Sequence, residues 1–247
     1  MKPTTLDNDV TIISGGSRGI GAAIVRTLSE HGSAVTIAGG CAESGRRLAD
    51  ELGPRCHYIP HDVTDEQSWQ DVIDSTVGRH GKVTALVNNA GIYKPEGDIE
   101  NTSPENFNSH YRVNQLGVFL GMNAVAGLMK AARHGSIVNI SSIASHRAYP
   151  NQISYTTTKW AVRGMTKAAA VDLGQFGIRV NSVHPGFIDT SVLDVVPDSQ
   201  REAVVSATPL GRLGQTDEIA ASVAYLVSPS SGFVTGAELV IDGGLSA

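Results

Sequence analysis

The chain has 247 residues, 41% hydrophobic and 17% charged, with a net charge of −5 and no Lys/Arg cluster, which excludes a disordered chain and a surface that tracks nucleic acid. Its two cysteines, Cys41 and Cys56, are too few for a disulfide framework and lack zinc-ligand spacing, so no metal is expected and a reducing, cytoplasmic setting is. No apolar run reaches membrane-spanning length and the polar Met1–Asp9 segment offers no secretory signal, so a membrane is not an expected partner.

Short β-branched runs then alternate with longer amphipathic stretches. The first predicted strand, Val10–Ser14, runs into Ser14-Gly-Gly-Ser-Arg-Gly-Ile-Gly21 and a helix over Gly19–His31. Gly15, Gly19 and Gly21 there form a GxxxGxG pattern, which permits a tight turn and lets backbone amides approach a pyrophosphate at the positive end of the helix. Strands at Ala34–Ala38, Cys56–Pro60 and Val83–Asn88 follow, separated by helices at Glu43–Leu52 and Glu66–His80. One long helix is predicted over Pro104–Arg133, then a strand at Ser136–Ser141, a helix over Asn151–Phe176 and a strand at Arg179–Val183. The irregular stretch Phe187–Leu213 reads as a partly helical flap over the site, because long irregular segments in compact domains tend to be lids. A helix over Thr216–Ser228, opened by the acidic Thr216-Asp-Glu218, and a strand at Glu238–Ile241 complete the chain. Nearly continuous apolar strands in this rhythm predict an α/β fold: a doubly wound parallel sheet of about seven strands, helices on both faces, in a single domain.

Tyr155 and Lys159 are four residues apart in Ile153-Ser-Tyr-Thr-Thr-Thr-Lys-Trp160, so on a helix they share one face. A phenol beside an ammonium ionises more readily. A tyrosine lowered from its usual ~10 toward neutrality exchanges a proton with an alcohol oxygen at cellular pH.

The glycine loop, Asn88-Asn-Ala-Gly91, Asn114, Ser142, Tyr155-x-x-x-Lys159 and Pro185-Gly186 occur in one order along the chain. Together they resemble the short-chain dehydrogenase/reductase family, in its single-domain branch, and the resemblance runs from Val10 to Asp242-Gly-Gly244. It implies a Rossmann-type fold and a nicotinamide-dependent interconversion of a ketone and a secondary alcohol. Tyr155 would be the acid/base, Lys159 would depress its pKa and bind the nicotinamide ribose, and Ser142 would hold the substrate oxygen, with Ser141 as its rival. Asn114 would fix a water relaying protons from Lys159; the alternative is a buried amide that bridges helix to strand. The cofactor would lie along Gly15, Ser17, Arg18, Gly19, Ile20 and Gly21. Asp62 and Val63 would meet its adenine, Asn89, Ala90 and Gly91 its ribose, and Pro185, Gly186, Ile188 and Thr190 its nicotinamide. Asn88 is expected to be structural.

NAD-preferring members of that family carry an acidic residue where this chain has Gly39. With no carboxylate to repel a 2′-phosphate, and with Arg18 to pair with one, NADP(H) is expected in preference to NAD(H). Arg46 and Arg47 lie further along the following helix and are not expected to take part. The stretch Tyr155–Thr190 looks similar to bacterial hydroxysteroid and cyclic-alcohol dehydrogenases. Candidate substrate-wall residues are Ala144, His146, Tyr149, Gln152, Phe187, Val192, Leu193 and Val196, whose largely apolar character suits a hydrophobic ketone. A ketoacyl-carrier-protein reductase, or a non-catalytic NADP(H)-sensing module, are the competing readings. The resemblance also implies a homotetramer.

Overall fold

The computed structural model describes residues 5–191 and 198–247. Seven parallel strands form one sheet: β1 (Val10–Ser14), β2 (Ala34–Gly39), β3 (Cys56–Pro60), β4 (Ala85–Asn88), β5 (Gly135–Ile140), β6 (Ile178–Pro185) and β7 (Glu238–Ile241), in the spatial order 3-2-1-4-5-6-7. The chain reverses its direction of travel across the sheet between β1 and β4. That switch point is where open α/β sheets leave a crevice beyond the C-terminal ends of their strands.

The strands are apolar on both faces because both are covered. Ile13, Val87 and Val138 point into a core closed by α1 (Gly19–Glu30), α2 (Ala42–Leu52) and α8 (Thr216–Val227). Their neighbours Ile12, Leu86 and Ile137 point into a second core closed by α3 (Glu66–His80), α5 (Gly117–Ala132) and α6 (Ile153–Gly174). Adjacent residues serving opposite cores fix the register of the central strands, since a slip of one residue would exchange the two sets.

The long helix expected over Pro104–Arg133 is interrupted. α4 (Pro104–His110) passes through a π-helical segment, Tyr111–Leu116, before α5 begins. Asn114 lies inside that segment and explains it. Its side chain is fully buried, with Oδ1 accepting the Ile92 N–H at 2.7 Å and Nδ2 donating to the Ile92 carbonyl at 2.8 Å. A π-helical segment re-aims a side chain, and here it turns an amide into a backbone-like partner for the loop after β4. Among the described residues, the region expected to form a flap includes the helix α7 (Asp198–Ala207); Val192, Leu193 and Val196 fall outside the described residues. Among the described residues no helix is long and apolar enough to cross a membrane.

Candidate active site

The C-terminal ends of β1, β4, β5 and β6 meet around one crevice. On one side is the turn from β1 to α1. Gly15 and Gly19 have φ of 66° and 52°, which only glycine adopts without strain. A Cβ on Gly15 would stand 2.8 Å from Ala90 Cα, and one on Gly21 would stand 2.1 Å from the Gly15 carbonyl oxygen. Asn89 clamps this turn to β4, donating from Nδ2 to the carbonyls of Ser14 and Gly15, while Ser14 Oγ accepts the N–H groups of Asn89 and Ala90. The exposed Arg18 precedes α1 without capping it and no acidic residue occupies its first turn, so among the described residues no side chain caps the first amides of α1, which suits an anion. The Ser17 hydroxyl is buried and has no hydrogen-bond partner among the described residues. An orphaned hydroxyl beside uncapped amides and a glycine cradle fits the pyrophosphate of a dinucleotide. The Thr190 methyl lies 3.7 Å from where a Gly19 Cβ would stand, so the start of the flap segment faces the glycine turn from across the crevice.

The other proposed contacts have mixed surroundings. Gly39 packs against the glycine turn: a Cβ there would press on Ser17 Oγ at 3.0 Å. Tyr58 donates its hydroxyl to the Gly39 carbonyl; burial raises that phenol's pKa and the Arg46 guanidinium partly offsets the rise. Asp62 Oδ1 accepts the Thr64 N–H at 2.9 Å, a bond that holds its carboxyl below the usual range. Val63 packs against Gly117 and accepts the Trp69 indole N–H at 3.1 Å. Ile20 is half-buried against the first core, and Ile188 is buried. Gly186 follows Pro185 so closely against β7 that a Cβ would meet Asp242 Cα at 2.8 Å.

Opposite the glycine turn stand the groups of the predicted chemistry. Ser142 begins a 3-10 turn, Ile143–Ser145, and its Oγ accepts the Ala144 N–H at 3.1 Å. The two serines are told apart by what they act on: Ser141 Oγ donates to the Lys159 carbonyl at 3.1 Å, a structural tie, whereas the Ser142 hydroxyl lowers the pKa of the Tyr155 phenol. Burial raises the phenol's pKa, Ser142 pulls it down, and Tyr93 pushes it up again, with the net shift upward. The expected depression by Lys159 is therefore not what these side chains produce. Lys159 Nζ donates to the Ile140 carbonyl at 3.0 Å and lies 5.5 Å from the Tyr155 ring centroid, and its own pKa is lowered to about 8 by burial. Asn114 is a buried amide, as in its alternative, but it bridges the π-helical segment to Ile92 in the loop after β4 and not to a strand. A Cβ at Gly91 would nevertheless stand 3.3 Å from Asn114 Oδ1 and 3.8 Å from Lys159 Nζ, so the missing side chain leaves a gap flanked by both.

Of the substrate-wall candidates, Tyr149 and Phe187 face each other edge to face with centroids 6.3 Å apart, and Gln152 Nε2 donates to Tyr93 Oη at 3.3 Å. Ala144 and His146 do not join them. Ala144 is buried in the 3-10 turn. His146 meets His184 edge to face with centroids 4.7 Å apart and lies 3.6 Å from Glu238, which also binds Arg163 at 2.9 Å and Lys167 at 2.7 Å. Both ring nitrogens of His184 contact serine hydroxyls at 2.7 Å, on Ser145 and Ser182. This grouping is an ion-pair and hydrogen-bond brace behind the 142–150 loop. Asn88 donates to Asn139 Oδ1 at 2.9 Å, joining β4 to β5. Sequence reasoning missed Tyr93, Glu96 and His110, which surround Tyr155; none belongs to a spacing motif, and only folding brings them there.

A crevice with a pyrophosphate cradle on one wall and a serine-bonded phenol beside a buried lysine on the other is that of a dinucleotide-dependent oxidoreductase. The family model described as enoyl-(acyl carrier protein) reductase matches residues 15–246. A 3-alpha-(or 20-beta)-hydroxysteroid dehydrogenase of Mycobacterium tuberculosis is 42% identical over 238 residues, covering 96% of this chain and 89% of the relative. An NADP-dependent (R)-specific alcohol dehydrogenase of Lentilactobacillus kefiri is 38% identical, covering 98% of each chain. The crystal structure of gox2181 is similar with a TM-score of 0.95 at 31% identity, covering 99% of this chain and 98% of the other. The chain belongs to the short-chain dehydrogenase/reductase family and is an NAD(P)-dependent oxidoreductase that interconverts ketones and secondary alcohols.

Proposed function

We propose that the substrate is a hydrophobic ketone or secondary alcohol of cyclic or steroid-like shape, and that the enzyme uses NADP(H) in preference to NAD(H). The observation that carries the reaction is the meeting of Ser142, Tyr155 and Lys159 across the crevice from the orphaned Ser17 hydroxyl. The bound nicotinamide supplies or accepts the hydride. Ser142 holds the carbonyl oxygen, and Tyr155 gives it the phenolic proton in reduction and takes a proton from the alcohol in oxidation. Lys159 would hold the nicotinamide ribose, and the gap at Gly91 between Lys159 and Asn114 would accommodate a water that returns the proton to solvent.

The facing rings of Tyr149 and Phe187 support an apolar, ring-shaped substrate. Gly39 in place of an acidic residue, with Arg18 exposed in the glycine turn, supports the 2′-phosphate. Exposed apolar side chains on α4, α5 and α6 support a homotetramer, and free cysteines suit the cytoplasm. A panel of cyclic, steroidal and open-chain ketones, followed through reduced nicotinamide with both cofactors, tests the reading. Steroidal or alicyclic ketones should have the highest kcat/KM; a preference for short open-chain ketones, or an NADH preference, would refute the corresponding half. Tyr155→Phe should abolish turnover while leaving cofactor binding intact.

A further inference from the structure

The start of α6 poses a problem that its own sequence does not solve. The first N–H groups of a helix have no intrahelical acceptors, and a Ser, Thr, Asp or Asn at the preceding position commonly takes one. That position is Gln152, which makes no capping bond and turns to Tyr93 instead. The acceptor comes from 58 residues upstream: one Glu96 carboxylate oxygen accepts the Ser154 N–H at 2.8 Å and the other accepts the N–H of Tyr155 at 3.0 Å. A carboxylate at the positive end of a helix is also well placed electrostatically.

Glu96 ends a strap that is fixed at every residue. Ile92 exchanges two hydrogen bonds with the Asn114 amide. The Tyr93 ring meets Tyr155 edge to face at 5.4 Å between centroids. The Lys94 N–H donates to His110 Nε2 at 3.2 Å, and the Pro95 carbonyl accepts from Asn106 Nδ2 at 3.0 Å. His110 is fully buried, its ring 6.3 Å from that of Tyr155. Its Nδ1 lies 3.0 Å from the Asn106 carbonyl and therefore donates, which leaves Nε2 as the acceptor for Lys94. The strap thus ties α4 and the π-helical segment on one side to the first turn of α6 on the other.

We infer that Glu96 is a positioning residue for the reaction: by holding the Tyr155 backbone, it locks the strap to the catalytic helix, so that Tyr155 and Asn114 keep one common frame. The inference rests on the reading of Tyr155 as the proton-exchanging group. A carboxylate that bonds the backbone of the acid/base residue itself constrains where the phenol meets a substrate, and a misplacement of about 1 Å costs roughly 100-fold in rate.

Steady-state kinetics and cofactor Kd, from nicotinamide fluorescence, test this in Glu96→Ala, Glu96→Gln and Tyr155→Phe. Glu96→Ala should lower kcat about 10- to 100-fold with cofactor Kd unchanged. Glu96→Gln keeps one acceptor oxygen and should recover part of that loss. Parental kcat in Glu96→Ala, with Tyr155→Phe inactive, overturns the role of Glu96 alone. Turnover in Tyr155→Phe overturns the reading beneath it. Parallel losses of kcat and cofactor affinity overturn positioning in favour of general loosening. Should Glu96→Ala fail to fold, Glu96→Gln decides: kcat below parental at unchanged Kd supports the inference, and parental kcat refutes it.

Discussion

Lys159 and Tyr155 lie one helical turn apart on α6, yet the lysine spends its hydrogen bond on the Ile140 carbonyl, 3.0 Å away, while burial lowers its pKa from 10.5 to about 8. The folded protein therefore disfavours the ammonium. Below pH 8 both folded and unfolded chains are protonated there, and the folded state bears a cost on the order of 3 kcal/mol. As pH rises from 8 to 10.5 the folded lysine is neutral before the unfolded one, and the cost disappears. Lys159→Met should remove this cost while abolishing turnover. In urea unfolding without cofactor, the variant should be more stable than the parent at pH 7, with the gap closing toward pH 10. A less stable variant at pH 7 would contradict the sign.

The Tyr155 phenol is held above its ordinary pKa, burial outweighing the Ser142 hydrogen bond. The resting side chain is then a proton donor at neutral pH. Ketone reduction should be nearly flat with pH around neutrality, whereas alcohol oxidation should gain about tenfold per pH unit as the phenolate fraction rises. Initial rates in both directions between pH 6 and 9 check this. An oxidation rate independent of pH would show that the phenol is not the base.

Gly39 is the position at which cofactor choice can be reversed. In Gly39→Asp a carboxylate would confront a 2′-phosphate, shifting the kcat/KM ratio toward NADH by roughly tenfold, or about 1.4 kcal/mol. The new Cβ would also press on Ser17 Oγ, which lies 3.0 Å from its position, so affinity for both cofactors should fall somewhat. Kinetics with NADH and NADPH separate the two effects.

The sheet was readable because its strands are buried on both faces and so carry an unbroken apolar signal; Ile12 and Ile13 serve different cores without any change of pattern. Ser142, Tyr155, Lys159 and the glycine turn were readable because their chemistry imposes spacing. The interruption at Tyr111–Leu116 was not, since its helical residues carry no Pro or Gly at the break and its cause is a bond from Asn114 to Ile92, 22 residues away. Glu96 was hidden for the same reason. The fate of His146 depended on Glu238, a partner on the edge strand that no local pattern names.

Phe119, Leu128, Trp160 and Val171 leave α5 and α6 substantially exposed, at 49%, 39%, 46% and 81% of their surfaces. Exposed apolar residues concentrated on adjacent helices mark association surfaces. Phe119→Glu combined with Trp160→Glu should convert a tetramer to smaller species in light scattering after size exclusion. A parent that is already monomeric at micromolar concentration would remove the homotetramer from the proposal.

Tyr155, Lys159, Arg163 and Lys167 recur at intervals of four along α6, so the groups at the crevice and those that grip Glu238 on the edge strand belong to one slowly winding row. The helix is held by a carboxylate at each end of that row, Glu96 at the front and Glu238 behind. It follows that the helix has a phase as well as a position. Inserting a single residue between Lys159 and Arg163 would turn the crevice groups about 100° against the rear anchor, and no side-chain adjustment absorbs a rotation of that size. Substitutions along the outer face leave the phase untouched, so sequence in this helix is free to drift in composition but not in length.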